Sequence, residues 1–245
     1  MIKYNNSNIN DWCFADDNII KVYRNNAVCY YKITSSGSTP TYKQYEYIKT
    51  VGTSETRYKF NTNFYPTTAH TIEIKMQLND SSVDWGMIFG WSSCDGDSCD
   101  STQYRFSTVT ANWQLIARKG NTNGVTRYTI GQNKDVICRI PISSSTWTYQ
   151  TGSTATTGNV NVGTFTSPST TPLHLFGIGN SGNKKSFHGR IYYVKVFDGN
   201  GNLVKHYVPS DNNGSPCFYE IIDGEYILDT YTGSYHGTLT LGPEV

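Results

Sequence analysis

Three groups of side chains in this sequence have types and spacings that can do chemistry. The densest is Ser92-Ser93-Cys94-Asp95-Gly96-Asp97-Ser98-Cys99-Asp100. Asp95, Asp97 and Asp100 can offer oxygens to Ca²⁺, a hard cation that takes oxygen ligands. Cys94 and Cys99 can bridge the loop or act as soft ligands. The spacing is not that of an EF-hand, because no Glu closes the loop and no helical pattern flanks it. A solvated Asp/Gly hairpin loop is the expectation. A Ca²⁺ site is the alternative, and zinc, lacking four suitably spaced ligands, ranks third. No cofactor is expected.

The second group is Glu220-Ile221-Ile222-Asp223-Gly224-Glu225. Retaining glycoside hydrolysis needs two carboxyl groups roughly 5–5.5 Å apart. On a strand, positions i and i+3 point to opposite faces, so Glu220 and Asp223 are not expected to cooperate. Asp223-Gly224 also reads as a hairpin turn between residues 219–222 and 225–228. The five histidines fall in no metal or nucleophile motif, and no Gly-x-Ser-x-Gly elbow, P-loop or dinucleotide fingerprint occurs. A non-enzymatic protein is the expectation. The third group is aromatic. Trp85 and Trp91 share strand parity with Met87 and Phe89, which reads as a core face. Trp147 sits in the polar stretch Ser143-Ser144-Ser145-Thr146-Trp147-Thr148-Tyr149. It is the tryptophan to consider for stacking on a sugar, although a core position is the favoured reading.

The elements that must position these residues have a period near two. Strands are expected at 19–23, 28–33, 71–78, 85–91, 104–109, 113–118, 126–130, 135–142, 159–165, 173–178 and 189–197. These segments are rich in Val, Ile, Tyr, Phe and Thr. The gaps between them carry Gly, Asn, Asp, Ser and Pro, which turn the chain. No amphipathic helix is evident. The expected fold is all-β: an antiparallel jelly-roll β-sandwich preceded by a short N-terminal β-hairpin anchor and a linker.

Composition agrees. Only 16% of the 245 residues are charged and the net charge is +1, so no basic field exists to hold nucleic acid or anionic lipid. Aromatics make up 14%, which excludes a disordered chain. No segment approaches the about 18 apolar residues needed to span a bilayer. The first ten residues, MIKYNNSNIN, lack an apolar stretch, so no secretory signal is expected. Six scattered cysteines then read as free thiols rather than a disulfide framework.

One boundary shows. Residues 34–42 contain the small polar run TSSGSTPT, which suits a linker. It separates a docking and oligomerisation segment, 1–33, from a β-rich block, 43–245. In the segment, residues 19–23 and 28–33 flank Asn25-Asn26 and read as a hairpin. A lone hairpin is marginal in water. Ile20, Val22, Tyr23, Val28 and Tyr30 are therefore assigned as anchor or interface residues, covered by chain copies or by another protein.

The block carries wording that resembles a known family. Tyr45-Glu46-Tyr47-Ile48-Lys49, His188-Gly189-Arg190-Ile191-Tyr192-Tyr193-Val194-Lys195-Val196-Phe197-Asp198, Val208-Pro209 and Asn213-Gly214-Ser215-Pro216-Cys217-Phe218-Tyr219 occur in that order. Together they resemble the concanavalin A-like, laminin-G-like jelly rolls of gut bacterial surface proteins and of the phages that infect such bacteria. The N-terminal wording DNIIKVYRNNAVCYYKI is similar to N-terminal segments of virion proteins in crAss-like phages of Bacteroidales. The resemblance implies a head fibre, decoration protein or tail fibre made in the host cytoplasm and built into the virion. It implies other virion proteins as partners through the N-terminal segment, a homo-oligomer, as a trimer, and lectin-like display toward surface glycans. A bacterial carbohydrate-binding module is the alternative reading, with a glycoside hydrolase behind it.

Overall fold

The computed structural model describes residues 11–16, 19–24, 27–32, 42–53, 55–80, 86–91, 104–109, 114–119, 128–159, 161–162, 171–177 and 185–245. The chain divides into two compact units, Met1–Thr41 and Tyr42–Val245.

The first unit holds β1 (Asp11–Asp16), β2 (Ile19–Arg24) and β3 (Ala27–Lys32) in one antiparallel sheet of order β1-β2-β3. The expected hairpin is β2–β3, paired from Ile19↔Lys32 to Arg24↔Ala27. The structure adds β1 on the other edge of β2, so this segment is a three-stranded meander and not a two-stranded hairpin. The added strand lies in DWCFAD, where Trp12, Cys13 and Phe14 are strand formers between two aspartates. A third strand gives β2 hydrogen-bonding neighbours on both sides, which a lone hairpin lacks.

The second unit is built from β4 (Ile48–Val51), β5 (Phe60–Asn61), β6 (Thr71–Asp80), β7 (Met87–Trp91), β8 (Tyr104–Val109), β9 (Gln114–Lys119) and β10 (Tyr128–Thr129). It continues with β11 (Asp135–Pro141), β12 (Thr146–Thr151), β13 (Thr154–Asn159), β14 (Asn161–Val162) and β15 (His174–Leu175). It ends with β16 (His188–Phe197), β17 (Leu203–Asn212), β18 (Ser215–Glu220), β19 (Glu225–Ile227) and β20 (Thr238–Leu241). The described residues contain no helix. One sheet runs β13-β12-β11-β6-β16-β17-β18-β19, with β4 joining β16 to β20. The other runs β10-β9-β8-β7-β15-β5, with β14 beside β9. All pairs are antiparallel except β14–β9. The unit is an antiparallel jelly-roll β-sandwich, as the sequence leads one to expect.

Alternation decides which face of the large sheet meets the small one. In β6, Ile72, Ile74, Met76 and Leu78 are buried, while Glu73, Lys75 and Gln77 between them are not. The buried rows of the two sheets meet through aromatic pairs. Phe106 on β8 stands edge-on to Trp147 on β12 at 5.3 Å, and Phe60 on β5 to Phe218 on β18 at 5.2 Å. Each such pair adds about 0.5–1.5 kcal/mol beyond its buried area.

Local chemistry sets the strand ends. The β17–β18 hairpin turns on Asn213 and Gly214, with φ of 54° and 86°. Positive φ at both positions defines the type I′ turn that Asn-Gly favours, and its twist matches the flanking strands. Pro209 interrupts neither strand pairing. The β16–β17 ladder ends at Tyr207, opposite Val194, and beyond it Pro209 pairs with Phe218 on β18 only. There the amide hydrogen that proline lacks is not needed by β16.

Candidate functional site

The outer face of the large sheet carries a continuous lattice of aromatic and charged side chains. Its centre depends on one irregularity. The β16–β6 register shifts between Ile191 and Tyr193, a β-bulge. The extra residue lets Tyr192 and Tyr193 both reach the outer face, where strict alternation would send one inward. Tyr192 Oη donates to Asp135 Oδ1 at 2.8 Å, and Tyr193 Oη to Glu73 Oε1 at 3.2 Å. Asp135 also accepts from Gln77 Nε2 at 3.0 Å and pairs with Lys75 at 3.5 Å, while Glu73 pairs with Arg139 at 3.5 Å.

A cation lies over each ring of the lattice. Arg190 is 4.3 Å from the Tyr47 centroid, Lys75 4.4 Å from Tyr192, Lys195 4.6 Å from Tyr193 and Arg139 5.0 Å from Phe197. Such contacts contribute about 0.5–1 kcal/mol each at exposed sites. Burial, followed by the hydrogen bond to Asp135, pushes the Tyr192 phenol up to about 12. The Tyr193 phenol is raised by burial and then by Glu73. Both phenols therefore stay neutral donors at ordinary pH. His206 stands edge-on to Tyr193, and burial with the Lys195 charge lowers it to about 4. The result is a flat, preorganised surface of rings, hydroxyls, carboxylates and cations across β11, β6, β16 and the start of β4.

A second aromatic cluster lies where residues 229–236 cross residues 57–59. Asp229 Oδ1 accepts from the Lys59 and Tyr231 amides, and Oδ2 meets His236 Nε2 at 2.7 Å. Arg57 lies over Tyr235, which is half exposed. Both oxygens of Asp229 are spent on fastening this crossing, so its chemistry is structural.

The residues singled out in the sequence fall in different places. Trp147 is 1% exposed, packed among Phe106, Tyr128 and Tyr149. This corrects its candidacy for glycan stacking. Its neighbours in sequence are polar because alternate residues of β12 face water, while Trp147 itself faces the small sheet. Gly158 on β13 leaves room for it, since a Cβ there would stand 2.7 Å from Trp147 Cε2.

The carboxylates need a second correction. β18 ends at Glu220, and residues 221–224 form the turn, so strand parity does not govern Asp223. Lys205 Nζ pairs with both Asp223 and Glu220. Yet Glu220 is bound to the backbone. Its Oε1 accepts from the His206 and Ile222 amides at 2.9 and 3.1 Å, and its Oε2 from the Asp223 amide at 2.6 Å. It staples the β18–β19 turn to β17. Burial raises its carboxyl pKa despite these amides and Lys205.

The residues that the sequence assigns as anchor or interface, Ile20, Val22, Tyr23, Val28 and Tyr30, lie on β2 and β3. The register sets Ile20 and Val22 in one alternate row with Trp12, Phe14, Cys29 and Tyr31, and sets Tyr23, Val28 and Tyr30 in the other with Asp11, Cys13 and Lys21. Asp95, Asp97, Asp100, Cys94 and Cys99 lie outside the described residues, as does Trp85. Among the described residues, no three His, Cys, Asp or Glu side chains converge as a metal site. Cys138 and Cys217 are free and buried.

Sequence reasoning missed the lattice. Its signal was present in two places. Glu73, Lys75 and Gln77 alternate with apolar residues, and the Tyr192-Tyr193 doublet breaks the alternation of the strand that follows Gly189.

No protein-family model matches the chain, and no curated protein matches it. Among solved structures, the native heptameric SAP-like pentraxin from Limulus polyphemus aligns with 66% of this chain and 78% of its own, at 12% identity and a TM-score of 0.43.

Proposed function

We propose that this chain is a non-enzymatic virion appendage with two separate tasks. The first unit attaches to other particle proteins, as a homo-oligomer, and the sandwich presents the outer face of its large sheet to surface glycans. The observation that carries the adhesive part is the lattice around Tyr192 and Tyr193. Sugars are bound by aromatic rings that take their C–H faces and by fixed polar groups that take their hydroxyls. The lattice offers both, already ordered by its own ion pairs, so little side-chain entropy is left to lose on binding. The wording of residues 17–33 and of the sandwich supports the virion setting. The backbone-bound state of Glu220 supports a non-enzymatic reading, because a carboxylate accepting three amides is a poor nucleophile.

A saccharide panel tests the adhesive part. The full chain is expected to retain one or more surface polysaccharides, and a Tyr192→Ala/Tyr193→Ala double variant to lose at least tenfold in affinity with its fold intact by circular dichroism. Equal retention by the variant moves the site away from this face. Release of reducing sugar, abolished by Glu220→Gln, contradicts the non-enzymatic reading.

A further inference from the structure

We infer that the β4–β16 junction of the outer face binds a carboxylate-bearing saccharide. This rests on the adhesive reading above and names the ligand class. Arg190 and Lys49 are direct cross-strand partners in the antiparallel β16–β4 pair. Like charges placed opposite each other destabilise a sheet. An anion between or beside the two would offset that repulsion. Among the described residues neither cation makes an ion pair. The contrast with the neighbouring strands is sharp. Lys75 and Arg139 also lie over aromatic rings, yet each has its own carboxylate, Asp135 and Glu73.

The placement of Arg190 points the same way. Its guanidinium is held in place, lying 4.3 Å from the Tyr47 centroid and hydrogen-bonded to Tyr192. Tyr47 in turn packs where Gly242 has no side chain, since a Cβ there would come within 2.8 Å of its ring. A fixed guanidinium presents a planar fork that matches a carboxylate through two parallel hydrogen bonds, and the Lys49 ammonium adds a second charge. Tyr192, edge-on to Tyr47 at 5.9 Å, supplies a ring beside this fork for the sugar that carries the acid. Ring and fork together select a saccharide acid over a free inorganic anion.

Matched probes separate charge from sugar. Oligogalacturonates and their methyl esters share one sugar skeleton and differ in the carboxylate. Titration calorimetry with the full chain is expected to show the free acid bound at least tenfold more tightly than the ester. Arg190→Gln and Lys49→Gln are each expected to abolish that difference, while Lys134→Gln, in the exposed turn before β11, keeps it. Lys49→Gln removes a repelling neighbour, so a melting temperature at or above that of the parent is expected for it without ligand, whereas Arg190→Gln also loses the contacts to Tyr47 and Tyr192. An ester or a neutral glucan bound as tightly as the acid overturns the inference and leaves glycan adhesion standing. So does a preference for the acid that survives both substitutions, or tighter binding of dextran sulfate than of the acid. Failure to bind any saccharide, charged or neutral, overturns the adhesive reading and this inference with it.

Discussion

At the scale of single residues, burial in the sandwich keeps His70, His174 and His206 from taking protons. Burial, then Lys59, holds His174 at about 4, although its Nδ1 donates to the Pro172 carbonyl at 3.0 Å. His206 is held at about 4 by burial and Lys195, and His70 is lowered by burial. An unfolded chain protonates these rings near the ordinary histidine value, whereas in the folded chain His174 and His206 resist until about 4. Their stabilising effect is therefore complete above about pH 6.5 and is lost as pH falls toward 4, on the order of 3 kcal/mol for each of His174 and His206. Glu220 works the other way. Its raised pKa means that acidification relieves the cost of a buried carboxylate, which offsets part of the loss. The melting temperature is expected to fall between pH 7 and pH 4.5, and His206→Gln is expected to flatten that slope. A slope identical in parent and variant would contradict the assignment. None of these environments was legible in the sequence, because burial of His174 and His206 depends on strands far away in the chain.

At the scale of elements, alternation made eleven of the strands legible, including β6, β8, β11 and β16. It did not mark β17 or the start of β18, where Val208-Pro209 and Ser215-Pro216 interrupt the pattern. Pro209 is accommodated because β16 has already ended its pairing with β17, a tertiary fact. Nor did it mark β12 and β13, whose stretch is rich in Thr and Ser. The bulge that brings Tyr192 and Tyr193 to one face was invisible for a related reason: a doublet of tyrosines does not say which residue is the extra one. The dependence of β12 on β13 can be tested. Gly158→Ala places a methyl group against the Trp147 indole, and overpacking of this kind typically costs about 1–3 kcal/mol. Denaturant unfolding of the variant is expected to show that loss, and Gly158→Ala is expected to cost little more in a chain that already carries Trp147→Leu. Unchanged stability in Gly158→Ala would mean that the indole has room to move and that β13 is not its lid.

At the scale of the whole molecule, the proposed function assigns one task to each of two compact units, residues 1–41 and 42–245. The sandwich has its own core, with Ile72, Ile74, Phe89, Phe106, Trp147 and Phe218 buried within unit 2. The first unit has its own sheet, whose register gathers Trp12, Phe14, Ile20, Val22, Cys29 and Tyr31 in one row. A chain built this way should lose one task without losing the other. The most direct test deletes residues 1–41 and follows the remainder in two ways: cooperative melting by circular dichroism, and co-sedimentation with purified particles. The account predicts a folded sandwich that melts cooperatively, still binds its saccharide, and no longer sediments with the particle. A folded truncation that joins the particle as well as the full chain does would contradict it.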